Sequence, residues 1–301
     1  MNPYDEYILG FNFDVEKARS CSKGLKSSDL CQVGITFAEN MQTLKTLLAL
    51  PNAIAATGII QARFGMVMAT ARQNYFQENK DAAGLERYLD QTAKLLNVAF
   101  DLPDMKKSHI EGATSLLRHI AEHDERVKNG FHIILSTCFM MGWTAFECFA
   151  VDLYKETFNV KPELFDPEAL EKKQLLFKDV MTYGFDVRNR MGSILYDKFD
   201  FKSLCKIAAN YELAFGKCKN RKRIENVFKN ADLVQLEQTR HVLVHKAGIV
   251  DVCYIQNMSA VQRNIGTLNQ LAPMDVLTLN ACCTATIDGA CTLMTEIDTL
   301  L

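Results

Sequence analysis

Helix-breaking residues are scarce in this chain: of 301 residues, 6 are proline and 15 are glycine. Apolar residues recur mostly at spacings of three and four, the period that gathers them on one face of an α-helix. Together these features predict an all-α protein, a multi-helix bundle. Four helical stretches are expected between about 35 and 129, the first ending before Pro51 and the second starting at it, because proline suits the first turn of a helix. Asn129-Gly130 closes this series. A second series is expected at about 131–158, 167–180, 185–196, 200–215, 221–229, 232–247 and 273–300. Phe131 to Phe158, which holds Trp143, Phe146 and Phe149, is the expected central core helix. Ile249 to Ile255 alternates and is β-branched, so a short β arm should follow the 232–247 helix. The expected domains are 1–129, a helical region of unassigned role, and 130–301.

The chain has 48% hydrophobic and 23% charged residues, with no run of eighteen apolar ones, which fits a soluble globular protein with no membrane partner. The N-terminus shows no basic start followed by an apolar stretch, so the expected location is cytoplasmic. None of the ten cysteines forms a Cys-x-x-Cys pair, and they read as buried reduced thiols. The vicinal Cys282-Cys283 pair lies among small residues that suit close helix packing. A net charge of -2 gives no global attraction to nucleic acid, so any RNA contact must come from a local patch.

The segment 232–247 carries the chemistry. Asp232 stands near its start and Gly248 just past its end, where a left-handed residue commonly stops a helix. Leu233, Leu236, Leu243 and Ala247 form the expected apolar stripe, and Arg240 falls on it. A guanidinium there is costly unless it is paired or used at an interface. His245 lies five residues on, about 140° around and about 7.5 Å along an ideal helix. One helix therefore does not aim both side chains at one point, whereas two copies meeting across a symmetric interface do.

Arg240, four intervening residues and His245, with polar His241 after the arginine and a glycine shortly after the histidine, resemble the HEPN superfamily of helical ribonucleases. Its pattern is Arg, four to six residues, His. The resemblance covers 130–301 and takes in Glu147 on the preceding apolar helix. Members occur in toxin–antitoxin, CRISPR-associated and phage-defence systems, so the resemblance implies an endoribonuclease acting as a toxin or defence effector, with an antitoxin or defence-system partner. It implies metal-independent cleavage without a cofactor, in which the RNA 2′-hydroxyl attacks the adjacent phosphorus and leaves a 2′,3′-cyclic phosphate. It further implies a homodimer with a composite active site. His245 suits a proton shuttle and Arg240 a phosphate clamp, with His241 and Glu237, each one turn away from a motif residue, orienting them. The basic residues Lys217, Lys219, Arg221, Lys222 and Arg223 upstream, with Lys246 after the motif, are the expected RNA-backbone contacts.

Three other readings stand beside this one. Arg240 can instead pair with Glu147 or Glu237 inside a non-catalytic module that binds protein or RNA. His119-Ile-Ala-Glu-His123 matches the His-x-x-Glu-His pattern of zinc peptidases, which suggests a zinc hydrolase using His119, Glu122 and His123. Arg118 and His123 also satisfy Arg-x4-His, by coincidence or as a diverged duplicate of the motif.

Overall fold

The computed structural model describes residues 12–78, 84–164, 177–263 and 265–301. Among these the protein is all-α, with twelve α-helices and no strand. We number them α1 (Val15–Lys23), α2 (Ser28–Glu78), α3 (Leu85–Phe100), α4 (Pro103–His123), α5 (Glu125–Val160), α6 (Phe177–Met181), α7 (Met191–Leu195), α8 (Leu204–Phe215), α9 (Arg221–Phe228), α10 (Ala231–His245), α11 (Val252–Ala260) and α12 (Val276–Asp298). Two compact units emerge, a smaller one of residues 48–132 and a larger one of 12–47 with 133–301. This division differs from a single boundary at 129/130, because 12–47 belong with the second half of the chain.

Two breaks expected from sequence do not occur. Pro51 lies inside α2, a single helix of 51 residues. A proline removes one N–H and crowds the preceding turn, but it does not prevent apolar helix from continuing on both sides. Likewise Asn129-Gly130 falls inside α5, where glycine costs only about 1 kcal/mol. The expected β arm is also corrected. Ile249 makes one isolated antiparallel bridge to Leu271, and α11 then begins at Val252. Asp251 caps that helix, accepting a 2.9 Å bond from the Tyr254 amide. Val250, Tyr254 and Met258 are buried at a spacing of four, so the period of this segment is helical rather than alternating.

The larger unit is organised around α5 and α12. On α5, Phe139, Trp143, Phe146, Ala150, Leu153 and Tyr154 are buried, as the sequence predicts for a central core helix. Gly142 of α5 lies close to Leu44 of α2 and Leu236 of α10. The Phe149 ring packs 4.8 Å from Phe37 of α2. At the far end, Tyr154 is surrounded by Phe158, Phe199, Phe201 and Tyr211. The Tyr211 hydroxyl donates to the Ala150 carbonyl at 2.7 Å. On α12, 15 of 23 residues are buried, so neighbours surround nearly its whole circumference.

The smaller unit is less densely cored. No residue of α3 is buried, and Ile54, Met66, Leu95 and Val98 are each more than 60% exposed. Among the described residues three helices, α2, α5 and α12, are long and apolar enough to cross a membrane by length and composition. The apolar windows of α5 and α12 are 50% and 61% buried, in keeping with core helices, whereas that of α2 is 11% buried.

A close approach supplies a stability test. A Cβ built on Gly192 of α7 would lie 1.8 Å from the Lys155 carbonyl oxygen of α5, a backbone atom that cannot swing aside. Asn159 of α5 fixes the same turn, accepting from the Ser193 amide at 2.9 Å and donating to its hydroxyl at 3.0 Å. Gly192→Ala should therefore lower stability by about 3 kcal/mol, the upper range for overpacking, in urea unfolding followed by circular dichroism.

Candidate active site

The helix that carries the motif is α10. Asn230 caps it, accepting from the Asp232 amide at 2.8 Å. It ends at His245, where Lys246 N and Gly248 N both donate to the Val242 carbonyl at 2.9 Å. Gly248 is left-handed with φ +81°, as the sequence predicts for a helix stop, and Ala247 before it shares that conformation at φ 52°.

The inward face differs from the predicted stripe. Leu233 and Leu236 are buried, but Val242 takes the place expected of Leu243, and Ala247 is exposed. Three polar residues, Gln235, Gln238 and Thr239, are buried beside them. Two of these have partners from beyond α10: Arg263 donates to Gln235 at 2.6 Å, and Asn257 of α11 to Gln238 at 2.9 Å. Arg263 also pairs with Asp232. Buried polar groups are tolerated when they are bonded, and here they lock α11 and the following turn onto α10. Below them Val242, Val250, Tyr254, Met258 and Ala272 form a separate hydrophobic cluster under the end of the motif helix.

Arg240 is half-buried and makes no ion pair or hydrogen bond among the described residues. Glu237, one turn earlier, is engaged elsewhere. Its Oε1 accepts from the Leu204 amide at 2.7 Å, at the start of α8, and its Oε2 from Gln238 at 3.2 Å. Burial raises the Glu237 pKa, against these two bonds and the nearby Arg240 charge, while Glu147 adds to the rise. Glu147 also lines a cavity of about 550 Å3 with Val151, Phe199, Phe201 and Lys202. Arg240, Glu237 and Glu147 therefore share one electrostatic neighbourhood without closing an ion pair.

His245 is exposed at the helix end, and His241 is half-buried one turn before it, their rings 4.9 Å apart. Burial lowers the His241 pKa, the His245 charge lowers it further, and Asp251 partly opposes both. His241 is thus biased toward the neutral imidazole.

The basic residues upstream are all exposed but not all available. Arg221 pairs with Glu225 within α9 at 2.7 Å, and Arg223 ties α9 to Glu296 of α12 at 2.7 Å. Lys217 also has an interaction of its own. Lys219, Lys222 and Lys246 are exposed and make no ion pair among the described residues.

At the end of α4, His119, Glu122 and His123 have ligand atoms within 4.8 Å of one another, all exposed. His123 Nδ1 lies 2.7 Å from the His119 carbonyl, an arrangement that leaves its Nε2 facing outward. Arg118 and Glu122 both have interactions of their own. The predicted buried cysteines are only partly so: Cys138, Cys282, Cys283 and Cys291 are buried, whereas Cys148, Cys205 and Cys253 are exposed. Compared with models of known protein families, with curated proteins and with solved structures, the chain matches none.

The Glu237 environment gives a pH-dependent test. A carboxyl whose folded-state pKa is raised binds its proton more tightly when folded, so its contribution to stability falls as pH rises through the window above its unfolded value of about 4.3. Glu237→Gln keeps an oxygen for the Leu204 amide and removes the charge. Its melting temperature relative to wild type should accordingly be higher at pH 7 than at pH 4. A variant that is less stable at pH 7 would mean that Glu237 is held by Arg240 as an ion pair.

Proposed function

We propose that this protein is a metal-independent endoribonuclease in which Arg240 and His245 act on the RNA backbone. The observation that carries the reading is Arg240. On a helix where the buried Gln235 and Gln238 and the half-buried Glu237 are all hydrogen-bonded, the one guanidinium is left unpaired. A half-buried, always-charged group without a partner is costly unless an anion arrives to meet it, and a phosphate suits its forked donors. The alternative in which Arg240 is a core ion-pair partner of Glu147 or Glu237 loses support for the same reason.

In this reading the Arg240 guanidinium holds the non-bridging phosphate oxygens and offsets the negative charge that develops in the transition state. His245, exposed at the helix end, moves a proton between the 2′-hydroxyl and the leaving 5′-oxygen. His241, biased toward neutral, stands beside His245 in its unprotonated form and orients it. Since the two motif side chains diverge around the helix, a second copy supplies the complementary pair, making the active protein a homodimer. Lys219, Lys222 and Lys246, together with Lys217, guide the RNA backbone. The product is a 2′,3′-cyclic phosphate, and the biological role is that of a cytoplasmic toxin or defence effector held in check by a partner.

A second reading is favoured by the closeness of His119, Glu122 and His123, a set able to hold zinc. The weakly buried apolar window of α2 is the feature that would suit a membrane surface, and cell fractionation tests the cytoplasmic location against it.

Purified protein should cleave single-stranded RNA to products bearing 2′,3′-cyclic phosphates. His245→Ala and Arg240→Ala should each reduce cleavage by about 10²-fold or more while circular dichroism and oligomeric state stay unchanged. Ethylenediaminetetraacetate should have no effect. Undiminished cleavage in His245→Ala would sink the assignment, RNA binding without cleavage by wild type would favour a non-catalytic module, and chelator sensitivity abolished by His123→Ala would transfer the chemistry to α4.

A further inference from the structure

The pairing of α1 with α12 brings together two cysteines that lie far apart in the chain. Cys21, half-buried on α1, rests on the turn of α12 that runs from Cys291 to Thr295. Its Sγ lies 3.6 Å from the Cys291 carbonyl oxygen and 3.5 Å from the Thr295 hydroxyl, which seats it directly against Cys291. Cys291 is itself buried. Lys17, one turn before Cys21 on α1, is held over the same spot by its 2.7 Å bond to Asp288 of α12. A thiol with a second thiol beside it, a hydroxyl to bond and a cation nearby is the environment in which a cysteine becomes a nucleophile.

We propose that Cys21 and Cys291 are a peroxide-oxidisable dithiol, Cys21 being the sulfur attacked first and Cys291 the one that resolves it. In the first step the Cys21 thiolate attacks a peroxide oxygen, the O–O bond breaks, and Cys21 becomes a sulfenic acid while the peroxide is reduced to water or an alcohol. In the second, the Cys291 sulfur displaces the hydroxyl from Cys21. The Cys291 proton leaves with it as water, and a disulfide joins α1 to α12. Two thiols and one peroxide thus give one disulfide and, for hydrogen peroxide, two waters.

The charges around the pair fit these roles. The hydrogen bond from Cys291 is the largest influence on Cys21 and lowers its pKa; burial opposes it, and the Thr295 hydroxyl and Lys17 assist, bringing Cys21 to about 6. Asp298 of α12 raises it. The same contact raises the Cys291 pKa, as do burial and Asp288, so Cys291 keeps its proton until the second step. Cys282 and Cys283, the adjacent pair visible in the sequence, differ: burial above all pushes both upward, with Asp232 and Asp275 adding to the rise at Cys282 against Arg263, leaving them protonated and enclosed.

Alkylation of the full-length protein by iodoacetamide, followed peptide by peptide in mass spectrometry, tests the assignment. The pH midpoint for Cys21 should lie about two units below a free cysteine's value of about 8.5. At pH 7 the rate advantage should be only a few-fold, because roughly 30-fold more thiolate is offset by an intrinsic nucleophilicity on the order of tenfold lower. Stoichiometric hydrogen peroxide should yield a Cys21–Cys291 cross-linked peptide that reductant reverses. In Cys291→Ser, or in Cys291→Ala should the buried hydroxyl unfold the chain, the cross-link should vanish, dimedone should label Cys21, and the Cys21 midpoint should rise. A Cys21 midpoint equal to that of Cys205, or peroxide-induced cross-links that omit Cys21, would overturn the proposal.

Discussion

The larger unit depends on the burial of α12 on almost every side. A helix can be surrounded only if its neighbours come close, and α12 allows this by presenting small side chains, Cys282, Cys283, Ala285, Gly289 and Ala290, where other helices bring large ones. A Cβ on Gly289 would stand 2.9 Å from Val227 of α9, with Leu233 of α10 and Phe146 of α5 just beyond. Its buried polar groups are matched one by one. Thr286 bonds back to the Cys282 carbonyl, Glu296 meets Arg223, and Asp298 accepts from the Lys26 amide. The position of the motif helix therefore follows from that of α12, against which it packs.

The helical class and the central helix were legible in the sequence because both rest on periodicity, which is local. Positions governed by a single residue were less so. Pro51 and Gly130 mark breaks in the statistics of helices, yet each removes only one favourable interaction from a long apolar run. In the 249–260 segment, the β-branched residues suggested a strand, while the decisive residue was Asp251, whose side chain caps the Tyr254 amide and starts a helix. Capping acts through one hydrogen bond and is easily outweighed, in a reading of patterns, by several β-branched neighbours.

For the candidate site, the motif helix and its left-handed stop could be read from residues 232–248, whereas the cap is Asn230 rather than Asp232, which donates its amide to it. The burial of Gln235 and Gln238 could not, since the partners that make it tolerable, Arg263 and Asn257, come from elsewhere in the chain. Nor could the engagement of Arg223 with Glu296 of α12, which sets it apart from Lys219 and Lys222 in an apparently uniform basic run. Cys21 escaped notice for the same reason. Nothing near it in sequence distinguishes it, and its surroundings are supplied by a helix some 270 residues away.

That separation bears on the order in which the chain can fold. Asn280 of α12 accepts from the Asn12 and Phe13 amides, and Asp298 from the Lys26 amide, so α1 is fastened at both ends to a helix 267 to 272 residues further along. Closing so long a loop is entropically costly and slow, and during synthesis α1 leaves the ribosome long before its partner exists. Val15 and Ala18, buried in the finished protein, must wait uncovered through that interval. The larger unit is thus assembled from both ends of its sequence at once, and only after α12 has emerged.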